Sequence, residues 1–121
     1  MKNALNWFEI PVVDFERAKK FYEEILDLEI GEIPFPEGRY GMMAWDQEGV
    51  GGGLIQSEGF EPSAQGTIVY LNGQPDLNVA LGKVEKAGGK ISLPKTSIGE
   101  NGFMAHIIDT EGNRVALHSM Q

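Results

Sequence analysis

Residues 103–120 decide the fold: Phe103-Met104-Ala105-His106-Ile107-Ile108-Asp109-Thr110-Glu111-Gly112-Asn113-Arg114-Val115-Ala116-Leu117-His118-Ser119-Met120. Phe103 to Asp109 and Asn113 to Met120 read as two strands. Thr110-Glu111-Gly112 joins them as a three-residue hairpin loop, with glycine where the backbone turns left-handed. A loop of this length pairs Asp109 with Asn113, so His106 opposes Ala116 and Met104 opposes His118. Side chains alternate between the faces of a strand. One face therefore carries Phe103, Ala105, Ile107, Val115 and Leu117, a uniformly apolar set suited to packing on a helix. The other carries Met104, His106, Ile108, Ala116 and His118.

Working outward, 16 glycines and 6 prolines cut the chain into short segments. Two read as helices. The first follows Asp14, whose carboxylate can accept an orphan N–H at a helix start, and places Phe15, Ala18, Phe21, Tyr22, Ile25 and Leu26 on one stripe. The second follows Pro75-Asp76, carries Leu77, Ala80, Leu81, Val84 and Ala87, and ends at Gly88-Gly89. The remaining strand readings are Leu5 to Val12, Leu28 to Ile33, Arg39 to Trp45, Val50 to Gln56, Thr67 to Leu71 and Lys90 to Leu93. Both halves then run strand, helix, strand, strand, strand. Repetition of that order predicts an α+β protein of two βαβββ modules, over about 4–57 and 66–120, within a single domain spanning 1–121. The sheets are expected to be mixed and curved, with the helices outside. In the first strand Phe8, Ile10 and Val12 match the helix-packing face, and Leu5, Trp7, Glu9 and Pro11 point the other way.

Composition excludes several classes. With 41% hydrophobic and 23% charged residues, the chain is an ordinary folding sequence. The absence of cysteine rules out a disulfide scaffold, a thiolate metal site and a cysteine nucleophile. A net charge of −8 repels phosphate backbones and anionic membranes, so neither nucleic acid nor membrane is an expected partner. The opening Met1-Lys2-Asn3-Ala4-Leu5-Asn6 lacks an apolar stretch of signal-peptide length, so a soluble cytoplasmic protein is expected. Gly51-Gly52-Gly53 precedes neither Lys-Ser/Thr nor a helix, so it is no phosphate loop; it marks a bulge or a close approach of backbone. No Ser-His-Asp order and no dinucleotide fingerprint is present.

Asn6-Trp7-Phe8-Glu9-Ile10-Pro11-Val12-Val13-Asp14, followed by Arg17-Ala18 and Phe21-Tyr22, resembles the opening of vicinal-oxygen-chelate proteins, the superfamily of glyoxalase I, bleomycin-resistance proteins and extradiol dioxygenases. Asp109-Thr110-Glu111-Gly112-Asn113-Arg114 resembles its last hairpin, and Leu117-His118-Ser119-Met120 the ending of a subgroup related to lactoylglutathione lyase. The resemblance implies the two-module fold and a cleft built by paired modules, hence a homodimer. It also implies a divalent metal held by one His or Glu from each of four strands. Those positions fall here on Trp7, near Gln56, on Thr67 and on Ala116. Indole and methyl groups do not ligate a divalent ion, and Thr and Gln are weak neutral ligands.

No metal or other cofactor is therefore expected. The leading reading is a small-molecule-binding protein whose pocket holds Trp7, Tyr40, Met42 or Met43, Gln56, Thr67, Met104 and Ala116, with an aromatic or cationic ligand suited to Glu9 and the acidic balance. Glu9, His106 and His118 are the candidate catalytic groups. A divalent-metal lyase, isomerase or dioxygenase using those three as a relocated site is the alternative, and a dimeric scaffold or interaction protein is the third reading.

Overall fold

A computed structural model describes residues 3–121; Met1 and Lys2, where the N-terminal reading starts, lie outside the described residues. The first module contains β1 (Trp7–Pro11), α1 (Phe15–Leu26), β2 (Ile30–Ile33), β3 (Gly38–Met43) and β4 (Gly51–Ser57). The second contains β5 (Tyr70–Asn72), α2 (Asn78–Val84), β6 (Lys90–Ser97), a 3-10 turn (Gly99–Asn101), β7 (Phe103–Ile108) and β8 (Arg114–Ser119). Each builds a four-stranded mixed sheet of the same plan, β1-β4-β3-β2 and β5-β8-β7-β6. The β1/β4 and β5/β8 pairs are parallel and the other pairs antiparallel. This is the α+β two-module fold expected from the element order, and the two sheets do not close into a barrel.

Local chemistry explains most element ends. Asp14 caps α1 by accepting from Arg17 N at 3.1 Å, and Asp27 ends it at φ 52°, a left-handed conformation that Asp tolerates better than most residues. Phe15, Ala18, Phe21, Tyr22 and Ile25 are buried along the expected stripe. The last hairpin has the predicted register, with His106 opposite Ala116 and Met104 opposite His118, and Gly112 turns it at φ 94°.

The strand ends of the first module shift by up to two residues from the sequence reading, β3 stopping at Met43 rather than Trp45, and three segments of the second module differ more. The second helix is shorter than its apolar stripe and stops at Val84; Asp76 accepts from Asn78 N at 2.9 Å one residue before the Leu77 cap position. Its interior Gly82 and β-branched Val79 lower helix propensity. Strand β5 is only Tyr70–Asn72, starting three residues later than Thr67. Strand β6 runs past Pro94 to Ser97 because it is an edge strand, and register shifts on both sides of Leu93 absorb the missing donor.

One core joins the modules: Ile10, Val12, Phe15 and Leu54 pack in the same cluster as Leu71, Leu77, Ile107 and Leu117. The β7–β8 hairpin clasps the first module to the second. Tyr22 Oη donates to Asp109 Oδ2 in the interior. Asp109 Oδ1 accepts from Glu111 N at 2.8 Å and Asn113 N at 2.9 Å, and Asn113 Nδ2 donates to Pro11 O at 2.8 Å. Glu111 accepts from Val13 N, Asp14 N and Arg17 Nε at 2.7–2.9 Å. Among the described residues, every buried side-chain nitrogen and oxygen has a partner. No helix among them is long and apolar enough to cross a membrane.

Candidate functional site

Pairing of Trp7 with Gly51 and Glu9 with Gly53 in β1/β4, and of Met42 with Gly53 in β3/β4, puts these residues on the sheet face turned away from α1. Tyr40, opposite Ile55, shares that face. Trp45, just past β3, folds back over it. Its ring meets the Trp7 ring edge-on at 5.1 Å, and Trp7 Nε1 donates to Tyr40 Oη at 2.7 Å. Phe35 lies 5.7 Å from the Tyr40 ring.

The glycines of β4 make this surface. A Cβ at Gly51 would stand 2.5 Å from Trp45 Cδ2, and one at Gly53 would stand 2.7 Å from Tyr40 Cε1. Bare backbone therefore lets both rings come close to the strand, so the glycines admit aromatic side chains as well as the neighbouring backbone at Gly41. Burial pushes the Tyr40 phenol up to about 12; the Trp7 N–H partly offsets the rise and the neighbouring Glu9 carboxylate adds to it. Tyr40 thus stays neutral and holds the indole as an acceptor, while Glu9 is exposed beside it.

The second sheet carries the two histidines on the face opposite Ala105, Ile107 and Leu117. Tyr70, Ala116 and His106 form one row across β5, β8 and β7; Asn72, His118 and Met104 form the next. Tyr70 Oη lies 3.3 Å from His106 Nε2, reaching across the row of the fully buried Ala116. His118 Nε2 bonds Asn101 O at 2.7 Å.

The sequence-named site residues therefore fall into separate groups. Trp7, Glu9, Tyr40 and Met42 come together in the first sheet, whereas Met43 is buried on the helix side with Ile30. Gln56 also lies on the helix side, where its Oε1 accepts from Phe15 N at 2.7 Å. Thr67 precedes β5 and lines, with Glu9, a small pocket of about 150 Å³. Met104, His106, Ala116 and His118 gather in the second sheet. Tyr70 and Trp45 were not named from sequence. Tyr70 falls opposite Ala116 once the β5/β8 register is known, and Trp45 is one of only two tryptophans in the chain.

Trp7, Thr67 and Ala116, at positions where the family resemblance places metal ligands, offer an indole, a neutral hydroxyl and a methyl, a set that does not fit a divalent ion. Glu9 belongs to the other sheet from His106 and His118. Among the described residues no three His, Cys, Asp or Glu side chains group so as to hold an ion.

Two mixed βαβββ sheets around a shared core, with the last hairpin clasping the first module, define the class. The chain belongs to the Glyoxalase/Bleomycin resistance protein/Dioxygenase superfamily, which matches residues 4–117. It is 28% identical over 117 residues to "Putative glyoxylase CFP32" of Mycobacterium tuberculosis (strain CDC 1551 / Oshkosh), covering 93% of this chain and 44% of that protein. The chain thus spans less than half the length of the curated relatives it matches. Among solved structures it resembles TnmS3, an antibiotic binding protein from Streptomyces sp. CB03234, with a TM-score of 0.74, 23% identity and coverage of 98% of each chain. It also resembles glyoxalase I from Zea mays, with a TM-score of 0.72 and 22% identity over 96% of this chain and 46% of that one. At these identities the likeness to solved structures is one of fold, and a fold hosts many reactions.

Proposed function

We propose that this protein binds a planar aromatic small molecule carrying positive charge on the Trp7–Tyr40–Trp45 face, and that it does so without the metal ligands that the family resemblance implies. One observation carries the reading: the first ligand position implied by the family resemblance holds an indole, fixed by its hydrogen bond to a neutral Tyr40 beside a second indole. Aromatic walls over bare glycine backbone suit a stacked ring, and exposed Glu9 with a net charge of −8 suits a cation. The antibiotic binding named for TnmS3 is consistent with such a use of the fold. The reading includes a cytoplasmic homodimer, because pairing of chains brings further strands to an open sheet face. It leaves the ending shared with the lactoylglutathione-lyase-related subgroup as a mark of descent rather than of reaction.

Both tryptophans of the chain sit in this site, so intrinsic fluorescence reports on it, and Trp7→Ala isolates the part that belongs to Trp7. Titration with ethidium, a planar aromatic cation, should quench and saturate, whereas 1-naphthalenesulfonate should bind more weakly. Trp7→Ala should weaken ethidium about tenfold, roughly the worth of one stacked ring. Glu9→Gln should erase the preference for the cation. Unchanged binding in both variants overturns the proposal. About one transition ion per chain, lost in Glu9→Gln or His118→Ala, replaces it with the metal-dependent reading. Sedimentation velocity giving a monomer at micromolar concentration overturns the dimer.

A further inference from the structure

A larger cleft adjoins that face, sharing Trp45 and Gly51 with it, and it goes beyond the reading above. It opens between the edge strands β1 and β5, which share no hydrogen-bond ladder, and has a volume of about 530 Å³. That is within the range of roughly 300–1,000 Å³ typical of small-molecule sites. Its walls are Phe8, Leu26, Leu28, Val50 and Val69, contributed by both modules. Leu5 and Tyr70 at its rim are 49% and 51% exposed, so apolar surface continues to solvent at the entrance.

The polar groups are few and specific. Asp46 is the one charged side chain among the described residues that line the cleft. Its Oδ1 accepts from Glu48 N at 2.9 Å, which fixes the carboxylate at the rim. Beside the Tyr70 hydroxyl and the Trp45 indole, Asn72 and Gln74 line it with neutral amides. Their side-chain oxygens already accept from Gln74 N at 2.9 Å and Met120 N at 3.0 Å, so these amides offer N–H groups to a ligand. An apolar channel with a single fixed carboxylate selects against an anion and for a cation with an apolar body.

We propose that this cleft is a second binding site, taking an aliphatic amine whose chain lies against Phe8, Leu26, Leu28 and Val69 and whose ammonium group pairs with Asp46. The site shares Trp45 and Gly51 with the aromatic face but uses none of Trp7, Glu9 or Tyr40.

Calorimetric titration of the full chain with octylammonium, decylammonium, decanol and decanoate, all below micelle formation, tests it. Decylammonium should bind tightest, each added methylene tightening binding about fourfold. Decanoate should bind at least tenfold more weakly than decylammonium. Asp46→Asn should bring the amine to the level of decanol and leave decanol unchanged. Val50→Trp, which fills the cleft, should abolish binding of both; should it fail to fold by circular dichroism, Leu28→Phe at the opposite wall serves the same purpose. Equal binding of decanoate, or amine affinity unchanged in Asp46→Asn, overturns the proposal. So does an equal loss of amine affinity in Glu9→Gln, which would place the amine on the aromatic face and leave the first reading standing. A dimer that decylammonium splits as it binds would show a second copy of the chain in the cleft and also overturn it.

Discussion

Glu111 offers the sharpest test of how the second module holds the first. Its side chain is fully buried, while that of Arg17 is 49% exposed. One carboxylate oxygen, Oε1, accepts from Val13 N at 2.9 Å and Asp14 N at 2.7 Å; the other accepts from Arg17 Nε at 2.7 Å and Thr110 Oγ1 at 2.9 Å. In Glu111→Gln the amide oxygen can keep the two backbone donors, but its NH₂ then faces Arg17 donor against donor. With the half-exposed Arg17 discounted for solvent, the cost should be about 1 kcal/mol. Glu111→Ala also leaves the two backbone N–H groups without acceptors and should cost about 3 kcal/mol. Burial alone would raise the Glu111 carboxyl, but the Arg17, Asp14, Val13 and Thr110 bonds together hold it below its ordinary value. A depressed folded-state value means stabilisation that is fully present above the ordinary carboxylate range and lost as pH falls through the lowered value. Urea unfolding from neutral to about pH 3 should therefore show the wild-type advantage over Glu111→Gln closing in acid. A gap that stays constant with pH, or a Gln variant as unstable as the Ala variant, would refute the reasoning.

Burial, reinforced by Asp109, pushes the Tyr22 phenol well above its ordinary value, so its contribution is complete below about pH 10 and is lost as pH rises through the raised value. Tyr22→Phe should cost about 1–3 kcal/mol in urea unfolding at neutral pH and blunt the alkaline loss, because it leaves Asp109 short of a donor. Glu9→Gln should lower the Tyr40 ionisation from its value of about 12, read by ultraviolet difference titration and assigned with Tyr40→Phe; an unchanged midpoint would deny that the carboxylate acts on the phenol. Gly51→Ala should lift Trp45 off β4 at a cost of about 1 kcal/mol, shift tryptophan emission to the red and weaken ethidium. Emission and binding that stay as in the wild type would mean that the glycine floor is dispensable.

The candidate site was legible in part, and the division has a physical cause. Alternation within β1 and within the β7–β8 hairpin is local, so the shared face of Trp7 and Glu9 and that of His106 and His118 could be read by counting residues. Gln56 could not be placed that way. It lies on the helix face because it pairs opposite Arg39 and meets the start of α1 at Phe15, a register reaching across 41 residues of sequence. Trp45 shows the same limit: read as the end of a strand Arg39 to Trp45 it falls with Met43 on the helix face, but β3 ends at Met43, and past that point the chain is free to turn the indole onto Trp7.

By itself, the amino-acid sequence determined the order of elements, the first helix with its Asp14 cap, the register of the last hairpin and the side-chain chemistry available at Trp7, Thr67 and Ala116. Each of these depends on neighbours within a turn or a loop, or on side-chain chemistry alone. Only the tertiary structure decided that Gly51 and Gly53 floor an aromatic surface, that Glu9 stands in a different sheet from the two histidines, and that β1 and β5 leave a cleft between them. It also turned Asp109-Thr110-Glu111-Gly112-Asn113 from a hairpin signature into the clasp on Tyr22, Pro11 and Arg17. Those facts depend on contacts between residues far apart in the chain, whose distances and directions no local periodicity contains.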